Sequence, residues 1–211
     1  MINKFKKQNY IVIKNAIEKN LAGFLYNYFL LKRQSTDTFF KARYISPKET
    51  MFGTWNDPQV PDTFSIYGDV AFETLLLKCQ PIMESTTKLK LYPNYSYARI
   101  YKKGDVLERH KDRFSCEIST TLFLGGDRWP IYLEPSGKNN KKGVKVDLLP
   151  GDMLVYKGQF LEHWRDEFKG DNCAQVFLHY TDVKTKGSKE NLFDGRYHIG
   201  IPKDIKAGDI K

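Results

Sequence analysis

The sequence predicts a mainly β protein in which a double-stranded β-helix, or jelly roll, is buttressed by N-terminal helices. Between residues 93 and 183, short apolar and β-branched segments alternate with turns that contain Gly, Pro or Lys. The first third of the chain carries apolar residues at three- and four-residue steps, the spacing of an amphipathic helix. With 211 residues, 41% of them hydrophobic, the chain can bury one full core.

The first predicted elements are a short strand and a helix. Residues 10–13, Tyr-Ile-Val-Ile, are apolar and β-branched, which favours a strand. An apolar stripe from Ile17 to Phe29 then predicts a helix over about residues 15–31 that packs against a sheet.

Residues 33–68 are predicted to be irregular, because Pro and Gly interrupt the pattern while aromatic residues recur. Two interpretations stay open: a lid over a substrate site, or a satellite cluster packed under the helices. Asp69 can N-cap a second helix that runs to about Thr86, and Pro81 is expected to kink it or end it early.

Eight short strands are predicted in the second half, and a double sheet would remove most of their exposed edges. We expect a single domain, with helical support and the lid in 1–92, the jelly roll in 93–183 and a tail in 184–211 that wraps the surface or frays. The predicted strands lie near 94–101, 105–110, 117–124, 130–134, 144–148, 153–157, 160–165 and 173–181.

Cysteine usage and hydropathy favour a cytoplasmic protein. Cys79, Cys116 and Cys173 are odd in number and widely spaced, which favours reduced thiols. The basic start lacks a following apolar stretch, so no secretory signal is expected. Nothing in the chain reaches 18 consecutive apolar residues, so we expect no membrane-spanning helix and no membrane partner.

The net charge of +9 favours an anionic partner such as a nucleic acid, an acidic protein or a small dicarboxylate. A lysine-rich, solvated surface is the preferred explanation, because the sequence contains no compact basic run and no known nucleic-acid motif.

Three residues suggest a metal site. His110 and Asp112 are two positions apart, which on a strand places both side chains on one face. His163 lies 51 residues beyond Asp112, after the strand-like run 153–156. Two imidazoles and one carboxylate form the facial triad that binds non-haem Fe(II) and leaves other positions open. A His-x-Asp pair alone is weak evidence, because it is usually a solvated surface pair.

The order of elements around these residues strengthens the metal hypothesis. A strand precedes His110, a β-branched strand follows Asp112, and Pro150-Gly151-Asp152 leads into an apolar strand before His163. This order resembles the 2-oxoglutarate- and Fe(II)-dependent dioxygenases, in particular the prolyl 4-hydroxylase-like, cupin-like branch, over about residues 93–183. The resemblance implies His110, Asp112 and His163 as catalytic metal ligands.

The same resemblance implies Fe(II), 2-oxoglutarate and O2 as cofactors, with ascorbate as an optional reductant. The reaction would hydroxylate a substrate C–H bond while 2-oxoglutarate is decarboxylated to succinate. A peptidyl, prolyl-type side chain is the preferred substrate, so a protein or peptide is the preferred partner. Because Asp112 keeps its carboxylate, hydroxylation or oxidative demethylation is favoured over halogenation.

The distal carboxylate of 2-oxoglutarate requires a cation, preferably an arginine. Related enzymes place one about ten residues after the distal histidine, but residues 172–175 contain none here. Arg165 is the first replacement, since it lies two residues after His163 on the same strand face, and Arg99 is the second. Each could equally be a buried ion pair or an exposed charge. Further candidate co-substrate contacts are Tyr101, Thr121 and Gln175.

Arg113 and Trp164 flank the triad and are interpreted as substrate contacts or as packing support. His179 is interpreted as a core or rim histidine, and His198 carries no signal. Two other functions stay open. The net charge suits a nucleic-acid-directed oxygenase or demethylase, and a non-catalytic, metal-binding jelly-roll module could carry the same three residues. The sequence predicts no oligomeric state.

Overall fold

A computed structural model describes residues 4–46 and 48–209. Residues 1–3, Pro47, 210 and 211 belong to the basic start, the irregular segment and the tail of the predictions, and they lie outside the described residues. The helices are α1 (Lys4–Gln8), α2 (Lys19–Lys41) and α3 (Val70–Thr87), with short 3-10 turns at Phe114–Cys116 and Leu192–Gly195. The strands are β1 (Tyr10–Ile13), β2 (Phe64–Tyr67), β3 (Leu91–Lys102), β4 (Leu107–His110), β5 (Ile118–Gly126), β6 (Ile131–Leu133), β7 (Val144–Val146), β8 (Met153–Lys157), β9 (His163–Arg165) and β10 (Asn172–Asp182).

The strands form two antiparallel sheets. The major sheet has the order β1-β8-β5-β10-β3-β2, and the minor sheet has the order β4-β9-β6-β7. Most neighbouring strands are not consecutive in the chain, as in a jelly roll; the exceptions are β2 with β3 and β6 with β7. The predicted fold class is therefore confirmed, and the predicted strands agree with the observed ones to within a few residues.

The major sheet separates two apolar clusters, because successive side chains of a strand point to opposite faces. On β3, Ala98 and Ile100 join the cluster under the helices, whereas Tyr101 joins the one between the sheets. The minor sheet contributes Leu107 and Ile131 to the second cluster. One end of the space between the sheets is thus filled by apolar side chains. The other end contains polar side chains, including Arg99 of β3.

The segment predicted to be irregular is more ordered than expected. Helix α2 continues to Lys41, because Thr36 Oγ1 donates to Phe52 O at 2.8 Å and Phe40 packs on Trp55. Strand β2, which the sequence did not predict, pairs with β3 at the edge of the major sheet. Long-range packing, absent from local periodicity, stabilises both elements.

Pro81 does not end helix α3 early, so that part of the prediction is wrong. The helix runs on to Thr87, and Asp69 caps it as predicted by accepting from Ala71 N at 3.0 Å. Pro81 removes the hydrogen bond to the Leu77 carbonyl. Leu77 is 47% exposed, so water can satisfy that carbonyl and the helix tolerates the proline.

The tail wraps the molecule. Arg196 is 2% exposed and forms an ion pair with buried Glu73 of α3, with 2.6 Å between Nη2 and Oε1. Asp194 accepts two hydrogen bonds from Arg113 at 2.8 Å each. Helix α3 and the segment after Asp112 are therefore both fastened to the tail. None of the helices in the described ranges is long and apolar enough to cross a membrane.

Candidate metal centre

The side chains of His110, Asp112 and His163 meet at one end of the space between the sheets. Asp112 Oδ1 lies 3.6 Å from His110 Nε2 and 3.5 Å from His163 Nε2. The imidazole centroids are 4.2 Å apart. Ligands at about 2.1 Å from one ion are about 3 to 3.5 Å from each other, so this spacing fits a single ion.

Backbone pairing places the three groups. His110 ends β4 and is the register partner of His163 on β9. Asp112 follows β4, and its backbone N–H donates to Gly158 O at 3.0 Å, just after β8. The centre thus lies between β4 and β9 of the minor sheet and the end of β8 in the major sheet.

Both histidines present Nε2 to the centre. His110 Nδ1 lies 2.8 Å from Glu108 O, and His163 Nδ1 lies 3.1 Å from Leu161 O. A carbonyl only accepts, so each Nδ1 carries a proton, and the neutral form of each ring would offer its Nε2 lone pair to the centre. That tautomer is the one a metal requires.

A hydrogen bond to its second oxygen orients the carboxylate of Asp112. Ser119 Oγ of β5 donates to Asp112 Oδ2 at 2.8 Å and lies 3.0 Å from His179 Nδ1. Although burial raises the pKa of Asp112, His163 and His110 hold it well below the usual range. Burial lowers the pKa of His179 to about 4, so that imidazole is neutral. Asp112 is therefore an ionised ligand with a fixed orientation.

Asp112, Cys116 and His179 form a second group whose ligand atoms lie within 4.8 Å of one another. Cys116 Sγ is hydrogen-bonded to Tyr95 OH at 3.0 Å, and burial raises the pKa of its thiol above the usual range. A neutral thiol is a poor metal ligand, so the first group is the better candidate.

A cavity of about 480 Å³ opens from the centre. Tyr95, Tyr97, Arg99 and Tyr101 line it from one face of β3, as the alternation on that strand predicts. Leu107, Ile131 and Tyr156 add apolar and aromatic side chains to the lining. The cavity thus has the concave, largely apolar lining of a small-molecule site.

Part of the segment interpreted as a lid faces this cavity. Asp57 accepts hydrogen bonds from Arg99 and from Tyr97 OH. Gln59 Nε2 lies 3.0 Å from His110 Nε2, and Gln59 Oε1 accepts from Arg99 at 3.1 Å. A metal ion on His110 would take the lone pair that Gln59 contacts. No sequence pattern indicates Asp57 or Gln59, since both contacts span about 40 residues or more.

Three other predicted co-substrate residues, Arg165, Thr121 and Gln175, are buried and do not line the cavity. Arg165 is 1% exposed, donates to Trp129 O and to Thr121 Oγ1, and does not line the cavity. Thr121 in turn donates to Gln175 at 2.9 Å. Among the described residues, no carboxylate lies within ion-pair distance of Arg165, and its Nε has no hydrogen-bond partner. Within the described ranges, Arg165 is therefore a buried cation without a carboxylate counter-charge.

Arg113 and Trp164 take different positions. Arg113 lines the cavity, binds Asp194 and lies over the Tyr95 ring. Trp164 stacks on Tyr132, faces away from the cavity and has Arg109 over its ring. His198 is exposed in the tail.

Comparisons with known proteins agree with this architecture. No protein-family model and no curated protein matches the sequence. Among solved structures, HygX from Streptomyces hygroscopicus with nickel and 2-oxoglutarate bound is similar, with a TM-score of 0.58, 14% identity and 85% of each chain covered. A Pseudomonas putida prolyl-4-hydroxylase has a TM-score of 0.56 and 14% identity, covering 84% of this chain and 95% of that one.

An oxidoreductase of the 2OG-Fe(II) oxygenase family from Burkholderia pseudomallei has a TM-score of 0.59 and 11% identity, covering 84% of this chain and 88% of that one. At such identities the similarity concerns the fold. The chain therefore has the double-stranded β-helix fold of the 2-oxoglutarate- and Fe(II)-dependent oxygenases, the group that its sequence resembles.

Proposed function

We propose that this protein is an Fe(II)- and 2-oxoglutarate-dependent oxygenase that hydroxylates a C–H bond of its substrate. The observation that carries the proposal is that His110 Nε2 and His163 Nε2 both lie within 3.6 Å of Asp112 Oδ1 at the end of a cavity. Two imidazoles and one carboxylate fit a divalent ion and leave positions for a co-substrate. Fe(II) and 2-oxoglutarate, when bound, supply the activation of O2 and the decarboxylation that drives it.

The residues of the chain would hold and shield this chemistry. His110, Asp112 and His163 would bind the ion, and Ser119 would keep Asp112 oriented. Tyr156 is 2% exposed, and its hydroxyl lies 3.4 Å from His163 Nε2. With Leu107 and Ile131 it would exclude water from the metal face that looks into the cavity.

Arg165 is proposed to hold the distal carboxylate of 2-oxoglutarate. A fully buried guanidinium without a counter-charge is costly, and an anionic co-substrate would compensate it. Thr121, which already contacts Arg165, and Gln175 would add polar contacts. Arg99 is the weaker candidate because Asp57 already neutralises it, although it lines the cavity beside Tyr101.

Metal and co-substrate binding can be tested without turnover. Purified protein mixed anaerobically with Fe(II) and 2-oxoglutarate should develop the weak visible charge-transfer band of the ternary complex. His110→Ala should abolish the band, because it removes a ligand. Absence of the band in the wild-type protein at every concentration would overturn the proposal and favour a non-catalytic module.

The band also separates the two candidate anchors. Arg165→Leu should raise the Kd for 2-oxoglutarate about tenfold or more, since charge-assisted paired hydrogen bonds are lost. The Kd of Arg165→Lys should lie between those of Arg165→Leu and the wild type, because lysine keeps the charge but not the paired donors of the guanidinium. Arg99→Leu should change the Kd less. The reverse ranking of Arg165→Leu and Arg99→Leu would make Arg99 the anchor.

The substrate is proposed to be a protein or peptide, with a prolyl-type side chain preferred. In support, the cavity is walled by Tyr67, Tyr95, Tyr97 and Phe177, which suit an apolar ring. Prolyl hydroxylases of Pseudomonas putida and of Paramecium Bursaria Chlorella virus-1 are among the similar structures.

Succinate formation tests the substrate class. Proline-rich peptides should stimulate it, whereas methylated oligonucleotides should not. Hygromycin B, which is bound in one similar structure, represents small molecules. Stimulation by oligonucleotides or hygromycin B alone would show that the peptide proposal is wrong while leaving the oxygenase proposal intact.

A further inference from the structure

A group of cations borders the metal centre on one side of the cavity mouth. Arg109 and Lys111 flank His110 at the end of β4, and Lys138, Lys141 and Lys142 lie on the hairpin between β6 and β7. All four lysines are exposed. We call these five residues the basic rim. The sequence does not reveal it, because its two parts are about 30 positions apart.

Hydrogen bonds fix the hairpin against β4. Arg109 Nη1 donates to Lys141 O at 3.1 Å, and Lys111 Nζ donates to Gly137 O at 3.3 Å. Asn140 N donates to Glu162 Oε2 at 2.8 Å. The backbone that carries the three hairpin lysines is therefore held against β4, and their side chains are exposed beside it.

The rim has more positive charge than its acids neutralise. Arg109 pairs with Glu162 at 3.1 Å, and a hydrogen bond from Asn140 N–H, followed by Arg109, holds the pKa of Glu162 below its usual range. Within the described ranges, no carboxylate lies within 4.0 Å of the rim lysines. Glu108 is exposed on β4, and buried Glu134 precedes the hairpin, where its carboxylate accepts hydrogen bonds from the backbone and the hydroxyl of Ser136. The five cations of the rim thus outnumber the acids Glu108, Glu134 and Glu162.

The rim continues into the cavity. Lys111 lies between two of the proposed metal ligands in the sequence, and its side chain lines the cavity. Lys203 of the tail also lines the cavity and forms no ion pair with any described residue. A substrate that enters the cavity would therefore pass Lys111 and Lys203, neither of which has a carboxylate partner in the part of the chain that the structure describes.

The rim suits carboxylates better than a single-stranded nucleic acid. Such nucleic acids are bound by exposed aromatic faces together with cations. Here Tyr132 and Trp164 stack on each other with centroids 5.5 Å apart, and Arg109 covers the Trp164 ring at 3.4 Å. Both rings are thus already engaged in stacking.

We infer that the substrate is an acidic polypeptide, whose Asp or Glu side chains contact the basic rim on one side of the residue that enters the cavity. This inference rests on the proposed function, since it places the acidic residues beside an oxidised one. It adds the charge of the residues around the oxidised one, which the proposed function leaves open.

Fluorescein-labelled ten-residue peptides test the inference. Their fluorescence anisotropy is measured under nitrogen as protein loaded with Ni(II) and 2-oxoglutarate is added. The probes are a Pro-Glu repeat, a Pro-Ser repeat and ten-nucleotide oligo-dT at 50 and 300 mM salt. The Pro-Glu probe should bind about tenfold more tightly than the Pro-Ser probe, and salt should reduce the difference. Lys138→Gln, Lys141→Gln and Lys142→Gln combined should weaken binding of the Pro-Glu probe about tenfold.

The matched control makes the same change in charge elsewhere. Lys6, Lys19 and Lys78 are exposed on the three helices, and none of them lines the cavity. Their combined change to Gln should alter binding less than twofold. Equal weakening by both triple variants would show a general charge effect and overturn the inference, as would equal binding of Pro-Glu and Pro-Ser. Binding of oligo-dT in preference to Pro-Glu would also overturn it. The Fe(II)–2-oxoglutarate band, recorded on the wild type in parallel, tests the proposed function separately.

Discussion

Ser119 shows how one residue outside the ligand set fixes the candidate centre. Its hydroxyl connects Asp112 on one side to neutral, buried His179 on the other. Residues that orient metal ligands in this way typically change metal affinity or activity 10- to 100-fold when they are mutated. The sequence located His110, Asp112 and His163 because spacing and strand order carry that information. It could not locate Ser119 or Gln59, whose roles depend on contacts between separate elements.

Ser119→Ala should therefore weaken binding of Ni(II) or Co(II) about tenfold, as measured by calorimetry under nitrogen. Ser96→Ala is the matched control: Ser96 is 1% exposed, and its hydroxyl has no hydrogen-bond partner among the described residues. It should leave metal affinity unchanged. Equal losses in the two variants would mean that the Ser119 hydroxyl does not orient the ligand.

Asp194 predicts a pH dependence of stability. Burial alone would raise the pKa of Asp194, but hydrogen bonds from Arg113 and Ser115 hold it at about 2. The unfolded chain has the higher pKa, so it binds a proton first as the pH falls. The stabilisation by Asp194 is thus fully present above about pH 5 and is lost between about pH 4 and 2.

Asp194→Asn should lower the free energy of unfolding by about 1 to 2 kcal/mol at pH 7, after allowance for solvent screening. Urea unfolding of both proteins from pH 7 to pH 2 measures the difference, which should shrink below pH 4. A difference that is constant over the whole range would show that the carboxylate charge contributes nothing.

At the scale of elements, helix α3 illustrates both the reach and the limit of sequence patterns. The N-cap Asp69 and the apolar stripe predicted the helix almost to the residue. The effect of Pro81 was not predictable, because it depends on whether the Leu77 carbonyl faces solvent or the core. Likewise, the last turns of α2 depend on Phe52 and Trp55, which follow in a segment with no periodicity of its own.

Pro81→Ala should stabilise the protein, because it restores a helical hydrogen bond and removes a steric conflict. Proline in a helix interior costs about 3 kcal/mol relative to alanine. The exposed position and the stiffer unfolded chain reduce the expected gain to about 1 to 2 kcal/mol. Thermal unfolding measures it, with Lys78→Ala on the same exposed face as a control that should stay within about 0.5 kcal/mol. A loss of stability would mean that the proline is needed to shape α3.

At the scale of the whole molecule, the candidate centre joins the two sheets. His110 and His163 belong to the minor sheet, whereas Asp112 is tied to the major sheet through Ser119 and Gly158. The paired sheets were predictable from the strands. The basic rim and the uncompensated charge of Arg165 were not, because each arises only when distant segments pack together.

An ion bound to all three ligands would cross-link the sheets, so metal binding should stabilise the minor sheet more than the helices. Ni(II) at 100 times its Kd should add about 2.7 kcal/mol to the free energy of unfolding. Hydrogen exchange should slow in β4 and β9, while α2 and α3, on the far side of the major sheet, serve as internal controls. His110→Ala should show neither effect. Equal slowing in helices and strands would mean that the metal does not act as a link between the sheets.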